Sequence, residues 1–275
     1  MSATQADKAE QFLKLHRKGE PLLMPNAWDV GSAGILAWLG FKALATTSSG
    51  HAATLGKLDG GVTREEALAH ATELSAGTDL PVSADLENAF ADEPDGVAET
   101  IRGAKATGLA GCSVEDYSGN PETGIYERGL ARERVVAAAE IAHSGSVRMV
   151  LTARAENLIR GRDDLADTIE RLQSYQEAGA DVLFAPGLKS AQDIRQVVES
   201  VDLPVSVLAV PGTPGTAELA ALGVARVSVG GAFAFAALGG LREAAEELRD
   251  RGTYGYLERS ALGGQAARAA FKRDA

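Results

Sequence analysis

The chain has 275 residues, 45% of them hydrophobic and 24% charged, with a formal net charge of -11. That is enough apolar material for one large core, since chains of about 200 to 250 residues can form a single α/β-barrel domain. A balance this acidic excludes sequence-independent binding to nucleic acid or anionic lipid, which needs a cationic face, and leaves a small molecule as the expected partner. Cys112 is the single cysteine, so neither an intrachain disulfide nor a cysteine zinc site can form. The first twenty residues lack the apolar run of a signal peptide, and no later stretch has the uninterrupted apolar length of a membrane helix. A cytoplasmic protein without membrane contact is expected.

In chain order, short apolar runs alternate with longer amphipathic stretches. Strands are expected at PLLMPNA (21–27), ALATTSS (43–49), PVSADLE (81–87) and LAGCSVED (109–116), then at RMVLTAR (148–154), DVLFAPG (181–187), PVSVLAV (204–210) and ARVSVGG (225–231). Between them REEALAHATELSAG (64–77), ARERVVAAAEIAHSG (131–145) and DLADTIERLQSYQEAGA (164–180) carry helical spacing and end near a glycine stop. Eight such units predict an α/β fold, a (β/α)8 TIM barrel over residues 1–251. Residues 252–275 are too poor in apolar side chains to fold alone, so a helical tail is expected to pack on the barrel or on a partner subunit. A doubly wound sheet would announce itself by a glycine-rich first turn, and PNAWDVGSAG is not that fingerprint. PGTPGT, from Pro211, lacks the Lys and Ser/Thr of a phosphate loop and reads as a turn.

Residues two apart on a strand share a face. Val82, Ala84 and Leu86 suit the layer beneath the helices, which turns Ser83, Asp85 and Glu87 toward the barrel axis and its C-terminal mouth. By the same alternation Gly111, Ser113 and Glu115 point inward while Cys112, Val114 and Asp116 point outward. Thr152, Arg154 and Glu156 bring a guanidinium and another acid to the rim. Crowded carboxylates raise one another's pKa unless a cation intervenes, and Mg²⁺ suits a few oxygen ligands supplemented by water. Asp116 is expected as a solvated loop residue or a helix cap. Ser48, Ser49 and Gly50 end the second strand, where their N–H groups either receive an anion or form an ordinary turn. Arg154 reads either as an ion-pair partner of Glu156 or as a carboxylate anchor. Among the histidines only His51 is placed to reach the mouth.

Taken together these residues resemble the isocitrate lyase and phosphoenolpyruvate mutase superfamily. AWDVGSAGILAWLGFKALATTSSG is similar to its first helix and second-strand end, and LGKLDGGVTREE to its acid-bearing loop. PVSADLENAF stands at its paired-acid motif, GLAGCSVEDY at its Glu-Asp strand end, LTARAEN at its arginine strand and TAELAALGVARVSVGG at its eighth strand. The resemblance implies a (β/α)8 barrel, a homo-oligomer (dimer or tetramer) with C-terminal helices exchanged between subunits, and Mg²⁺ held by Asp85, Glu87 and Glu115, mostly through water. It places Asp59, Glu115 and Arg154 in the catalytic set and a small 2-oxo acid or dicarboxylate on Ser48, Ser49, Gly50, Asp85 and Arg154. The implied activity is that of a carbon–carbon lyase or decarboxylase working through an enolate, with phosphonopyruvate hydrolase or mutase chemistry, or 2-oxo acid binding without catalysis, as alternatives. The segment EDYSGNPETGIYERG departs from the lyase branch, which carries a Lys-Cys-Gly-His type motif there, and from the Lys and Asn pattern of the mutases. Its glycines and polar residues predict a mobile lid.

Overall fold

The computed structural model describes residues 3–272. Residues 1–2 of the expected barrel and 273–275 of the expected tail lie outside the described residues. Nine short parallel strands run around one barrel: β1 (Leu22–Met24), β2 (Asn26–Ala27), β3 (Leu44–Thr46), β4 (Val82–Asp85), β5 (Gly111–Glu115), β6 (Val150–Arg154), β7 (Val182–Phe184), β8 (Val205–Leu208) and β9 (Arg226–Ser228). β1 pairs with β9 and β2 with β3, so these two pieces are halves of one barrel strand interrupted at Pro25. Proline has no N–H to give a ladder, but its carbonyl still accepts from Ala45 N at 3.0 Å. The eight β/α units read from the sequence are therefore present, with the first strand split.

Asn26 ties this seam together. Its Nδ2 donates to Thr46 O at 2.7 Å, and its Oδ1 accepts from Val229 N at 3.0 Å and Gly230 N at 2.9 Å. One buried side chain thus links the strands on both sides of the break. At the opposite end of the barrel, α1 (Gln5–Lys14) inserts Phe12 among Leu22, Ala43, Ala110 and Val150. Gly111 leaves the room this needs: a Cβ there would stand 2.9 Å from Phe12 Cε1 and 2.7 Å from Val150 O.

The remaining helices are α2 (Val30–Trp38), α3 (Ser48–Thr54), α4 (Arg64–Gly77), α5 (Pro94–Lys105), α6 (Arg128–Ala142), α7 (Leu165–Glu177), α8 (Ala191–Ser200), α9 (Thr216–Ala221), α10 (Ala232–Arg251) and α11 (Leu257–Ala270). α4 starts on a Thr63/Glu66 capping box, which satisfies two N-terminal donors reciprocally. The outward residues Val82, Ala84, Leu86, Cys112, Val114, Leu151 and Ala153 join the core beneath the helices, in the phase the alternation predicts. Burial there pushes the Cys112 thiol up to about 12. α11 lies against α2, with Phe271 over Gly34, where a Cβ would come within 2.9 Å of the ring. No residue of α11 is buried. Among the described residues no helix is long and apolar enough to cross a membrane.

Replacing Asn26 with Leu leaves three backbone groups without their partner at the closing seam. The variant should lose about 2–4 kcal/mol of stability, measured by urea unfolding. A loss below about 0.5 kcal/mol, the range of neutral surface changes, would show that Asn26 does not close the barrel.

Candidate active site

The C-terminal strand ends surround a cavity of about 230 Å³ lined by Ser48, Ser49, Asp59, Asp85 and Arg154 together with Ser83, Ser113 and Ser228. Asp85 and Arg154 terminate β4 and β6 because the inward alternation of those strands ends on them. Glu87, Glu115 and Gly50 are not on this wall.

Arg154 is the hub. Its Nη1 donates to Asp85 Oδ1 at 2.7 Å, its Nε and Nη2 to Glu156 Oε1 at 3.0 and 2.8 Å, and Nη2 also meets Glu115 Oε2 at 2.9 Å. A contact ion pair at an effective dielectric of about 20 is worth roughly 6 kcal/mol before desolvation, and each buried ion loses several kcal/mol of hydration. One guanidinium cannot offset that for three acids. Burial disfavours the Arg154 charge, but Glu115, Glu156 and Asp85 together outweigh it and hold the group well above its usual value. Glu115, 6% exposed, goes the other way for the same reason. Burial pushes it well up, the attraction of Arg154 opposes this, and Glu156 and Asp85 add to the rise. Arg160 gives secondary relief, with Nη2 3.4 Å from Glu115 Oε1 and Nε 3.2 Å from Glu156 Oε2, while its guanidinium stacks 3.7 Å over the Tyr117 ring.

Glu87 reaches this cluster by a different route from the one its sequence spacing suggests. β4 stops at Asp85, and Glu87, Ala89 and Phe90 have φ of 50°, 61° and 55°, the left-handed region that non-glycine residues rarely adopt. They are the only such residues in the described chain. Strain of order 1 kcal/mol each is borne by a clamp from α5 and α6. The Arg134 guanidinium donates to Asn88 O, Ala91 O and Asp92 O, and Thr100 Oγ1 donates to Ala89 O. The clamp holds Glu87 near Asp85 in a small side cavity shared with His51. Burial first, and then the neighbouring Asp85 and Asp59 charges, push Glu87 up to about 7.

Three further expectations change. Ser48, Ser49 and Gly50 do not end a strand: they open α3, with Thr47 as N-cap. Gly50 N donates to Thr47 Oγ1 at 3.3 Å and Ser48 N to Asp85 Oδ2 at 3.3 Å, so two of the three amides already have partners. Asp116 is neither solvated nor a cap. It is 3% exposed and accepts from Glu156 N at 2.9 Å, Arg171 Nη1 at 3.1 Å and Tyr175 Oη at 2.5 Å, which fixes the backbone carrying Glu156. His51 stacks on His70, with ring centroids 3.8 Å apart, and both its nitrogens are buried without a partner. The segment after Glu115 folds back on itself, with Ser118 N donating to Gly124 O and Tyr126 N to Asp116 O. Arg160 lay beyond the reach of strand alternation because it sits in the loop after β6. Asn26 was legible only once the Pro25 break was known.

Among the described residues no three His, Cys, Asp or Glu side chains stand close enough to chelate an ion together. The donor set is nevertheless all oxygen, and Asp85 and Asp59 stand beside Glu87 and add to the rise that its burial causes. Mg²⁺, commonly bound through one or two carboxylates and its own waters, fits such a set; a fully chelated cation does not.

The family model for phosphoenolpyruvate phosphomutase matches residues 12–249. The chain belongs to this family. A solved structure from Burkholderia cenocepacia J2315, named as a candidate lyase/mutase, is 47% identical, with 98% of both chains covered and a TM-score of 0.94. Oxaloacetate decarboxylase from Chromohalobacter salexigens is 28% identical over 90% of this chain and 87% of its own length. 2-Methylisocitrate lyase from Halalkalibacterium halodurans is 29% identical over 74% of this chain and 67% of its own length. The family's named relatives thus include both a decarboxylase and a lyase.

Glu87 gives a pH test. Its folded value of about 7 lies above the usual 4.5, so its stabilising contribution is complete below about 4.5 and is lost as pH rises through about 7. A cation favours the ionised form. Mg²⁺ binding at pH 7 should therefore release about half a proton, read from the buffer dependence of the calorimetric heat. Glu87→Gln should lower the release by that amount, whatever Glu115 adds, and an undiminished release in that variant would remove Glu87 from the site.

Proposed function

We propose that the protein is a Mg²⁺-dependent enzyme that cleaves a carbon–carbon bond beside the oxo carbon of a small 2-oxo acid, or of a malate-type precursor, with decarboxylation as the favoured outcome. The observation that carries this reading is the placement of Asp85 and Asp59 on the same cavity wall as Arg154, an acidic corner next to a guanidinium. Asp85 would hold the ion, with Glu87, Glu115 and Asp59 reaching it through water. Bound there, Mg²⁺ would polarise the 2-oxo group and favour negative charge on its oxygen.

The chain's own residues do the rest. Arg154, now fully engaged by acids, would exchange the Asp85 contact for the substrate carboxylate, which matches its planar fork. Ser49, on the cavity wall at the start of α3, would offer its N–H and hydroxyl. Glu115 and Glu156 would keep Arg154 oriented. The segment Tyr117–Gly129 has no thiol to act as an acid, which supports a reaction whose enolate is protonated from solvent over one that needs the lyase cysteine. Likeness to the oxaloacetate decarboxylase over most of both chains points the same way. The exposed apolar residues Phe233, Phe235, Leu238 and Leu241 on α10, and Leu257 and Leu262 on α11, support a homo-oligomer that covers them.

Turnover of a 2-oxo acid panel with and without Mg²⁺, with the products identified, is the test. Asp85→Ala should lower Mg²⁺-dependent turnover at least about 100-fold, the scale of losing a main electrostatic contributor. It should leave the unfolding midpoint nearly unchanged, because Arg154 keeps Glu115 and Glu156. Arg154→Lys should weaken 2-oxo acid binding by about 1–3 kcal/mol. Turnover by Asp85→Ala equal to wild type would overturn the proposal.

A further inference from the structure

A second arginine faces the same cavity from below and has no acid. Arg226, on β9 two residues short of Ser228, is 3% exposed and lines the cavity wall. Its Nε donates to Ser206 Oγ at 2.9 Å, and its Nη1 to Thr152 Oγ1 at 3.1 Å and to His16 Nε2 at 3.3 Å. His16 is an acceptor here: its Nδ1 lies 2.8 Å from Phe12 O, which fixes the proton on that nitrogen, and burial holds the ring neutral, down to about 3. Every partner of the guanidinium is therefore uncharged. Nη2 has no hydrogen-bond partner among the described residues, and it is not among the side-chain atoms sealed from solvent without one. Since Arg226 lines the cavity, Nη2 is the nitrogen left to donate there.

The contrast with Arg154 is the argument. One inward-facing guanidinium collects three carboxylates while its neighbour one layer down has none, although an unpaired buried charge is costly and arginine does not escape the cost by losing its proton near neutrality. Burial, and then the like charge of Arg154, lower Arg226 to about 9, still charged at pH 7. Ser113 and Ser228 line the same cavity with hydroxyls. We propose that Arg226 forms a carboxylate subsite beneath the mouth, donating through Nη2 to the second carboxylate of a dicarboxylate whose 2-oxo end lies at Asp85 and Arg154. The identity of the ligand rests on the function proposed above; the anion chemistry of Arg226 does not.

Without Mg²⁺ Arg154 is engaged by three acids, so formate, the smallest carboxylate, then probes the Arg226 subsite. At constant ionic strength, saturating formate should raise the melting temperature of the wild-type protein by about 2–4 °C and leave that of Arg226→Met unmoved. The readout is the formate shift of each protein and not its own melting temperature, because Met also leaves Ser206 Oγ, Thr152 Oγ1 and His16 Nε2 without their donor. Calorimetry with Mg²⁺ present then compares malonate with pyruvate, and Arg226→Met should weaken malonate at least about tenfold more than pyruvate. Equal formate responses in the two proteins, or equal losses for malonate and pyruvate, would overturn the subsite. A formate response confined to wild type, with neither pyruvate nor malonate bound, would uphold the anion site and refute the proposed function. Should Arg226→Met fail to fold, Arg226→Lys carries the test: an ammonium held by Ser206 or Thr152 has no counterpart of the free Nη2, so formate should weaken about tenfold, and unchanged affinity would refute the proposal.

Discussion

The mouth of this barrel is organised by one buried guanidinium shared among three carboxylates. Asp85 and Glu115 end β4 and β5, Glu156 follows the end of β6 by two residues, and Arg154 stands where all three converge. No arrangement of one cation satisfies three buried anions; burial, and then the neighbouring acids, displace Glu115 and, beside the cluster, Glu87 upward. Surrounding structure is built to hold the cluster in place. Asp116, Arg171 and Tyr175 fix the backbone behind Glu156, and the Arg134 clamp holds a left-handed loop that would otherwise relax and carry Glu87 away. On the function proposed above, such a cluster would receive a hard cation and release the arginine to an anion.

Much of this was legible because a barrel obeys two periodicities. The strand alternation assigned Ser83, Asp85, Ser113 and Arg154 to the interior and Val82, Cys112 and Leu151 to the helix-facing layer, and helical spacing with a terminal glycine marked α4 and its end. The alternation failed where a strand stopped. Glu87 lies beyond the end of β4, and its position is set by backbone strain and by Arg134, forty-seven residues away in sequence. Thr47 competed with strand two for the chain and won, since its hydroxyl caps α3 and turns Ser48–Gly50 into a helix start. Arg226 is the opposite case: its phase on β9 put it inside together with Ser228, and the missing signal was only the absence of an acid opposite it.

The family places the fold and a common repertoire, not the reaction. The segment after β5 has Tyr117 stacked under Arg160 and no thiol, and the chain's one cysteine is buried on the helix-facing side with its pKa pushed up to about 12. The cavity wall therefore brings Asp85, Asp59 and Arg154 together and carries no cysteine.

If the shared arginine is the centre of the site, cation and anion should not bind independently. Each would relieve the charge imbalance that opposes the other, and the coupling is reciprocal by necessity. Calorimetric titration of oxalate into the protein, with and without saturating Mg²⁺ at pH 7.5, measures it directly. The account predicts that Mg²⁺ tightens oxalate by at least about tenfold, and that oxalate tightens Mg²⁺ by the same factor, a coupling of about 1.4 kcal/mol or more. Oxalate binding that is equally tight without Mg²⁺ would contradict it.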